Sequence, residues 1–329
     1  MCKNGIGGYL ELEKNRGTLF HNGAWTLNSG RSCLEWVIIE KKIKTIALPY
    51  FICDVVSEVC KKHRLKILRY HIDSNLQPAD LPDDSVYWLY LVNYYGTLKP
   101  ETISKYQRRA DIDAHDNGLI QGVIVDNTQA FYDIPVDEAY ILYTCRKYFG
   151  VPDGAFLYAR DLGGYEEFEL DKSAEYVGHL LGRFEGDAYD YYEVFKGNDE
   201  RLRYTGIKRM SRLTENLLRG IDYEYVKKRR TENYRYLSEK LDNLNKLNAE
   251  HLHNIEGAFA YPLWIDDGDS FRQKLIAEKI YVPILWPNTL KETDSSSLEF
   301  DLAQNILPLP CDQRYGIDEM RRICEVIER

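Results

Sequence analysis

The chain of 329 residues has little of what would mark several protein classes. It has seven cysteines (Cys2, Cys33, Cys53, Cys60, Cys145, Cys311 and Cys324), an odd number with no C-x-x-C pair. Neither a disulfide framework nor a zinc ribbon is indicated, and a reducing cytoplasm is the expected setting. Long apolar runs are missing too. The longest, Val86 to Val92, is far too short to span a membrane. The first residues lack the charged-then-apolar pattern of a secretory leader. Basic residues are outnumbered, 43 Lys and Arg against 52 Asp and Glu, for a net charge of -9. A nucleic-acid footprint wants a clustered basic surface, so none is expected. Histidines give no metal-binding pattern; His251 and His253 form the only close pair, in a polar stretch, and no metal is expected. There is no internal repeat and no low-complexity segment.

What is present fits a globular protein. Hydrophobic residues make up 44% and charged residues 29%, a usual balance for a soluble domain. The length suffices for a large core and more than one compact unit. The 26 tyrosines read first as amphipathic core and interface residues.

Two segments carry chemistry. In Ala139–Leu157, AYILYTCRKYFGVPDGAFL, a short apolar strand leads to a turn bearing Lys147 and then to a second apolar strand. About twenty residues upstream, in Gln121–Tyr132, QGVIVDNTQAFY, a buried strand runs into Asp126. An acidic residue at the carboxyl end of a parallel strand sits where open α/β sheets bind ligands. Pyridoxal phosphate needs such a carboxylate to keep its pyridine nitrogen protonated, which makes the ring an electron sink. It also needs a lysine amine to hold its carbonyl as an imine and then to carry the proton. Upstream, Asn28 or Ser29 can cap a helix that starts near Gly30. Gly30 permits close backbone approach, and the free N–H groups of a helix start form a ready anion site.

The runs D-N-T-Q-A-F and T-C-R-K-Y-F-G-V-P-D-G-A resemble the core of the fold-type I pyridoxal-phosphate enzymes. More narrowly they are similar to the DegT-like aminotransferases, many of which act on nucleotide-linked keto sugars. The resemblance implies an α/β fold: an aspartate-aminotransferase-like large domain with a mainly parallel central sheet, plus a smaller α+β carboxy-terminal domain. It implies a division into residues 1–222, an amino-terminal arm and cofactor-binding domain, and 223–329, a bridging helix and small domain. In that small unit, strands are expected over 258–265 and 280–285, with helices over 270–279 and 317–327.

The implied cofactor is pyridoxal 5'-phosphate, with Lys147 and Asp126 as catalytic residues and Gln129 flanking the ring. Ser29 and Gly30 match the family's phosphate-cradling S-G-T turn, with Arg31 in place of threonine; a guanidinium there adds a potential contact. Thr144 matches a phosphate-binding hydroxyl of related enzymes. Phe51, or next to it Tyr50, stands just past a strand end, where an aromatic suits ring stacking. Asn93 falls near the expected ring position. Tyr95, Trp286 and Arg314 are candidate substrate contacts, Arg314 as a carboxylate clamp. The segment Tyr204–Ser211 resembles the family's Y-N-x-R-M-S, whose asparagine reaches the neighbouring subunit's cofactor phosphate. Here that position is Ile207; either Lys208 or Tyr204 substitutes, or the contact is absent. The expected activity is transfer of an amino group from an amino acid, glutamate foremost, to a keto acceptor such as a nucleotide-linked sugar of surface polysaccharide synthesis. The expected assembly is a cytoplasmic homodimer. Two alternatives stand beside it: an elimination or dehydration on the same cofactor, and a non-catalytic descendant of the fold.

Overall fold

The computed structural model describes residues 6–116, 118–137, 139–248, 252 and 255–329. His251 and His253 lie outside them. Eight strands form one sheet: β1 (Trp25–Leu27), β2 (Thr45–Pro49), β3 (Lys66–Ile72), β4 (Pro78–Ala79), β5 (Tyr87–Val92), β6 (Ile120–Asp126), β7 (Tyr140–Thr144) and β8 (Ala155–Tyr158). Their spatial order is β1-β8-β7-β6-β5-β2-β3-β4. The five central strands from β7 to β3 are parallel; β8 and β4 run against them. Every residue of β5 is buried, as are Val123, Ile124 and Val125 of β6. Such continuous apolar runs are what a parallel sheet covered on both faces requires.

Helices α1 (Gly30–Glu40), α2 (Asp54–Lys62) and α3 (Pro100–Asp116) connect the early strands. Beyond β8 come α4 (Gly178–Glu185), α5 (Tyr192–Tyr204), α6 (Arg212–Leu218) and the long α7 (Tyr223–Leu241). Asp222 caps α7 by accepting the N–H of Tyr225. The rest comprises β9 (Tyr261–Trp264), α8 (Gly268–Ala277), α9 (Thr289–Glu292), α10 (Leu298–Asn305), β10 (Ile306–Leu309) and α11 (Ile317–Glu328).

Burial falls into two apolar clusters. The larger surrounds the eight-stranded sheet. The smaller joins Tyr234, Leu237 and Leu241 of α7 to Leu263, Leu307, Met320 and Ile323. No helix among the described residues is long and apolar enough to cross a membrane.

One expected element is absent. Residues 280–285 form no strand, although Ile280 and Val282 are buried. Pro283 has no N–H to give a ladder, and Trp286 adopts φ +56°, which turns the chain away. The partner of β9 is instead β10, in antiparallel register from Ile306 opposite Trp264 to Leu309 opposite Tyr261.

Candidate active site

The site forms where the carboxyl ends of the parallel strands meet the start of α1. Leu27, Ala155 and Thr144 lie side by side across β1, β8 and β7, and β6 ends beside them at Asp126. Leu27 is followed at once by the turn into α1. Ser29 caps that helix, its hydroxyl accepting the N–H of Ser32 at 3.2 Å. The first N–H groups of a helix have no intrahelical carbonyl to reach. Gly30 is a packing requirement here: a Cβ on it would stand 2.8 Å from Cγ2 of Thr144. Gly154, at φ +112°, donates its N–H to the carbonyl of Asn28 at 2.7 Å and fastens the same turn to β8.

These elements enclose a cavity of about 330 Å³ lined by Ser29, Gly30, Arg31, Asp126, Gln129, Thr144, Lys147 and Trp286, among others. Thus eight of the residues singled out in the sequence converge on one space.

Asp126 is held by its neighbours. The hydroxyl of Tyr90 donates to its Oδ2 at 2.9 Å, and the N–H of Thr128 donates to its Oδ1 at 2.9 Å, joined by the Thr128 hydroxyl. Tyr90 is fully buried, and burial, reinforced by the Asp126 charge, holds its phenol far above the usual tyrosine range. It therefore stays a donor. Gln129 is 2% exposed. Its Oε1 accepts the backbone N–H of Tyr95 at 2.9 Å, while its Nε2 has no partner. Thr144 Oγ1 and Arg31 Nε are likewise buried without a partner. Three cavity-lining side chains thus carry unsatisfied polar atoms, an arrangement that normally marks a missing ligand or water.

Lys147 retains some exposed surface where it lines both this cavity and a wider neighbouring one, while its amine is enclosed by protein, with Nζ 5.4 Å from the centre of the Phe259 ring. Burial lowers its pKa from the ordinary lysine value, against the pull of Asp126, Cys53 and Asp199. A lowered pKa enlarges the neutral, nucleophilic fraction of an amine.

Several expectations are corrected. Phe51 is 1% exposed and packs on Tyr94 and Trp286, with ring centres 5.4 and 4.5 Å away. It lies behind the cavity wall rather than on it; Ile52, Cys53 and Trp286 line that side. Tyr50 also stays outside, its ring against His71. Tyr95 is fully buried at φ +54°, and its side chain does not line the cavity. Arg314 is 58% exposed and forked onto Asp312, Nε to Oδ1 at 2.7 Å and Nη2 to Oδ2 at 2.9 Å. It borders a neighbouring, wider cavity of about 970 Å³ that shares Arg146 and Lys147 with the first. Asn93 is saturated by Asn127, Asp133 and the N–H of Leu98. Ile207 packs against the main core, Lys208 lies 3.9 Å from Glu169, and Tyr204 is exposed; none of the three lines the cavity.

Several lining residues carried no recognisable signal in the sequence. Tyr90 is one tyrosine among several aromatic and aliphatic neighbours in and beside β5; only the two-residue strand period places it and Val92 on one face. Arg146 and Asp199 meet across 53 positions, which no local pattern foretells.

No protein-family model matches the chain, and no curated protein matches it in sequence. Solved structures do. The sugar aminotransferase CalS13 from Micromonospora echinospora superposes with a TM-score of 0.67 at 12% identity, covering 93% of this chain and 86% of that one. A DegT DnrJ EryC1 StrS aminotransferase from Brucella abortus gives 0.59 at 14% identity, covering 93% and 85%. The GDP-4-keto-6-deoxy-D-mannose-3-dehydratase of E. coli gives 0.58 at 13% identity, covering 92% and 87%. The chain therefore has the fold of the sugar aminotransferases, with the mainly parallel sheet that the resemblance implied.

Proposed function

We propose that the chain is a pyridoxal-phosphate-dependent aminotransferase that moves an amino group from an amino acid, glutamate foremost, to a keto acceptor of the nucleotide-linked sugar class. The observation that carries this reading is the convergence of Lys147 and Asp126 on one cavity that also holds the unpartnered Thr144 Oγ1, Gln129 Nε2 and Arg31 Nε. The residues fit the cofactor. Ser29, Gly30, Arg31 and Thr144 suit its phosphate, Asp126 its ring nitrogen, Gln129 the ring's polar edge, and Lys147 its carbonyl carbon. When bound, pyridoxal phosphate supplies the electron sink for carbanion chemistry next to nitrogen.

The protein's part is positioning and proton transfer. Asp126, braced by Tyr90 and Thr128, presents a fixed carboxylate. Lys147 is the covalent anchor and, once released, the base that takes a proton and returns it. Trp286, carried by the 286–289 segment, closes the cavity wall. Two bonds dock that segment on the β2–α2 turn: Asn288 Nδ2 donates to Ile52 O at 3.0 Å, and the Thr289 hydroxyl to Tyr50 O at 3.2 Å.

The proposal extends to a homodimer and to a small domain over 223–329. Leu181, Phe184, Tyr189 and Tyr192 are 63%, 92%, 83% and 53% exposed beside the wider cavity. Apolar surface of that kind is a usual mark of an interface. The separate cluster on α7, β9, β10 and α11 supports the domain division.

The test is a visible spectrum. Added pyridoxal phosphate is expected to give an absorption band that disappears in Lys147→Ala, and glutamate is expected to bleach the wild-type band. A band indifferent to every amino acid would favour elimination or dehydration instead. Full turnover by Lys147→Ala would refute the assignment.

A further inference from the structure

The mouth of the cavity holds an ion arrangement of which the aminotransferase reading uses only Arg31. Asp199, on α5, bridges two arginines. Its Oδ1 accepts from Nη1 of Arg146 at 2.9 Å, and its Oδ2 lies 3.9 Å from Nη2 of Arg31. The arginine side chains are 19% and 18% exposed, whereas Asp199 is 50% exposed. All three line the same cavity as Thr144 and Gly30. Arg31 is the second residue of α1, and Arg146 directly precedes Lys147.

Two guanidiniums fixed beside a helix start, a free threonine hydroxyl and a lysine make a strongly anion-seeking corner. Among the described residues Asp199 bridges the two guanidiniums with its negative charge, and it is the more exposed partner. A carboxylate carries one charge and two oxygens. A phosphate monoester carries close to two charges and three terminal oxygens, so it satisfies the same donors better.

We infer that Arg31 and Arg146 form the phosphate-monoester subsite of this cavity, and that Asp199 is an internal counter-ion which the incoming dianion displaces. The inference rests on the proposed cofactor reading and deepens it. It assigns the phosphate grip to two arginines of one chain, whereas Ile207 packs against the main core and does not line the cavity. It also gives α5 a role: the helix carries the carboxylate that competes with a phosphate for the two arginines.

Burial pulls the Asp199 carboxyl upward, but the Arg146 hydrogen bond and the charges of Arg146, Arg31 and Arg203 outweigh that and hold it below the usual range. It is therefore ionised, and competing, throughout the neutral pH range.

The experiment compares pyridoxal phosphate with pyridoxal, which lacks only the phosphate, in titrations of the full chain by absorbance. The readout is the ratio of the two affinities. Asp199→Asn is expected to raise the ratio by roughly tenfold by removing a competing charge. Arg146→Gln and Arg31→Gln are each expected to lower it by at least about tenfold. Pyridoxal affinity is expected to stay level in all three. A ratio that is unchanged or lowered in Asp199→Asn, or unchanged in both arginine variants, overturns the inference. If the wild type shows no Lys147-dependent band with either compound, the aminotransferase reading fails separately. Calorimetry with inorganic phosphate then decides the subsite: tighter binding in Asp199→Asn and weaker in Arg146→Gln sustains it, and no binding by any form overturns it.

Discussion

At the scale of single residues, the site is organised by what holds Asp126. A carboxylate drawn partly out of water is costly unless its oxygens are hydrogen-bonded, and half-buried Asp126 has Thr128 on one oxygen and Tyr90 on the other. Tyr90→Phe leaves Oδ2 without this donor. The expected loss in unfolding free energy is about 1.5–3 kcal/mol. That loss is expected to shrink when pyridoxal phosphate is added, since a protonated ring nitrogen supplies a new donor. Unfolding in urea with and without the cofactor checks this; an equal loss in both would separate Tyr90 from the site. A second carboxylate, Asp133, behaves differently. Burial pushes it up to about 6, against the Asn93 hydrogen bond and the Lys227 charge. Because the folded value exceeds the unfolded one, its contribution is fully present below the unfolded value and is lost as pH rises through about 6. Asp133→Asn keeps an acceptor for Asn93 Nδ2 and removes the charge. It is expected to stabilise the protein at pH 7 on the order of 2 kcal/mol, allowing for partial solvent access, and little at pH 4. A gain of the same size at both pH values would contradict the assignment.

At the scale of elements, the decisive junction is the start of α1 against the end of β7. Gly30→Ala puts a methyl 2.8 Å from Thr144 Cγ2, so either the helix start or the threonine must shift. Pyridoxal phosphate binding is expected to weaken by roughly tenfold, with a stability change within about 1 kcal/mol. Unchanged affinity would show that this turn does not touch the ligand. The turn was legible in the sequence because its signals are local: a capping serine, a glycine and an apolar helix face. The same holds for Asp126 and Lys147, since a strand end is read from a short apolar run. The β2–α2 turn was not legible. Which of Tyr50, Phe51 and Ile52 faces the cavity is decided by the docking of Asn288 and Thr289, distant in sequence. Residues 280–285 mislead for a related reason. They alternate like a strand, but Pro283 and the left-handed Trp286 deny them a ladder, and β10 takes the place beside β9.

At the scale of the whole molecule, one large sheet supplies strand ends, helix starts and loops to a single cavity, and Trp286 from the carboxy-terminal part, packed into the same large core, completes its wall. The exposed apolar stretch of α4 and the turn after it stands beside the mouth, so the proposed dimer would bury surface next to Lys147. Sedimentation of the purified chain at micromolar concentration is expected to show a dimer; an active monomer would contradict that part of the account. The fold itself, shared with structures only 12–14% identical, permits more than one reaction. In the proposed reading the chemistry is carried by the pairing of Lys147 with Asp126. The most direct measurement is therefore the visible spectrum of the wild type and of Lys147→Ala with pyridoxal phosphate, before and after glutamate. A band in the wild type only, bleached by glutamate, is the expected result. A band that persists in Lys147→Ala, or no band in either protein, would contradict it.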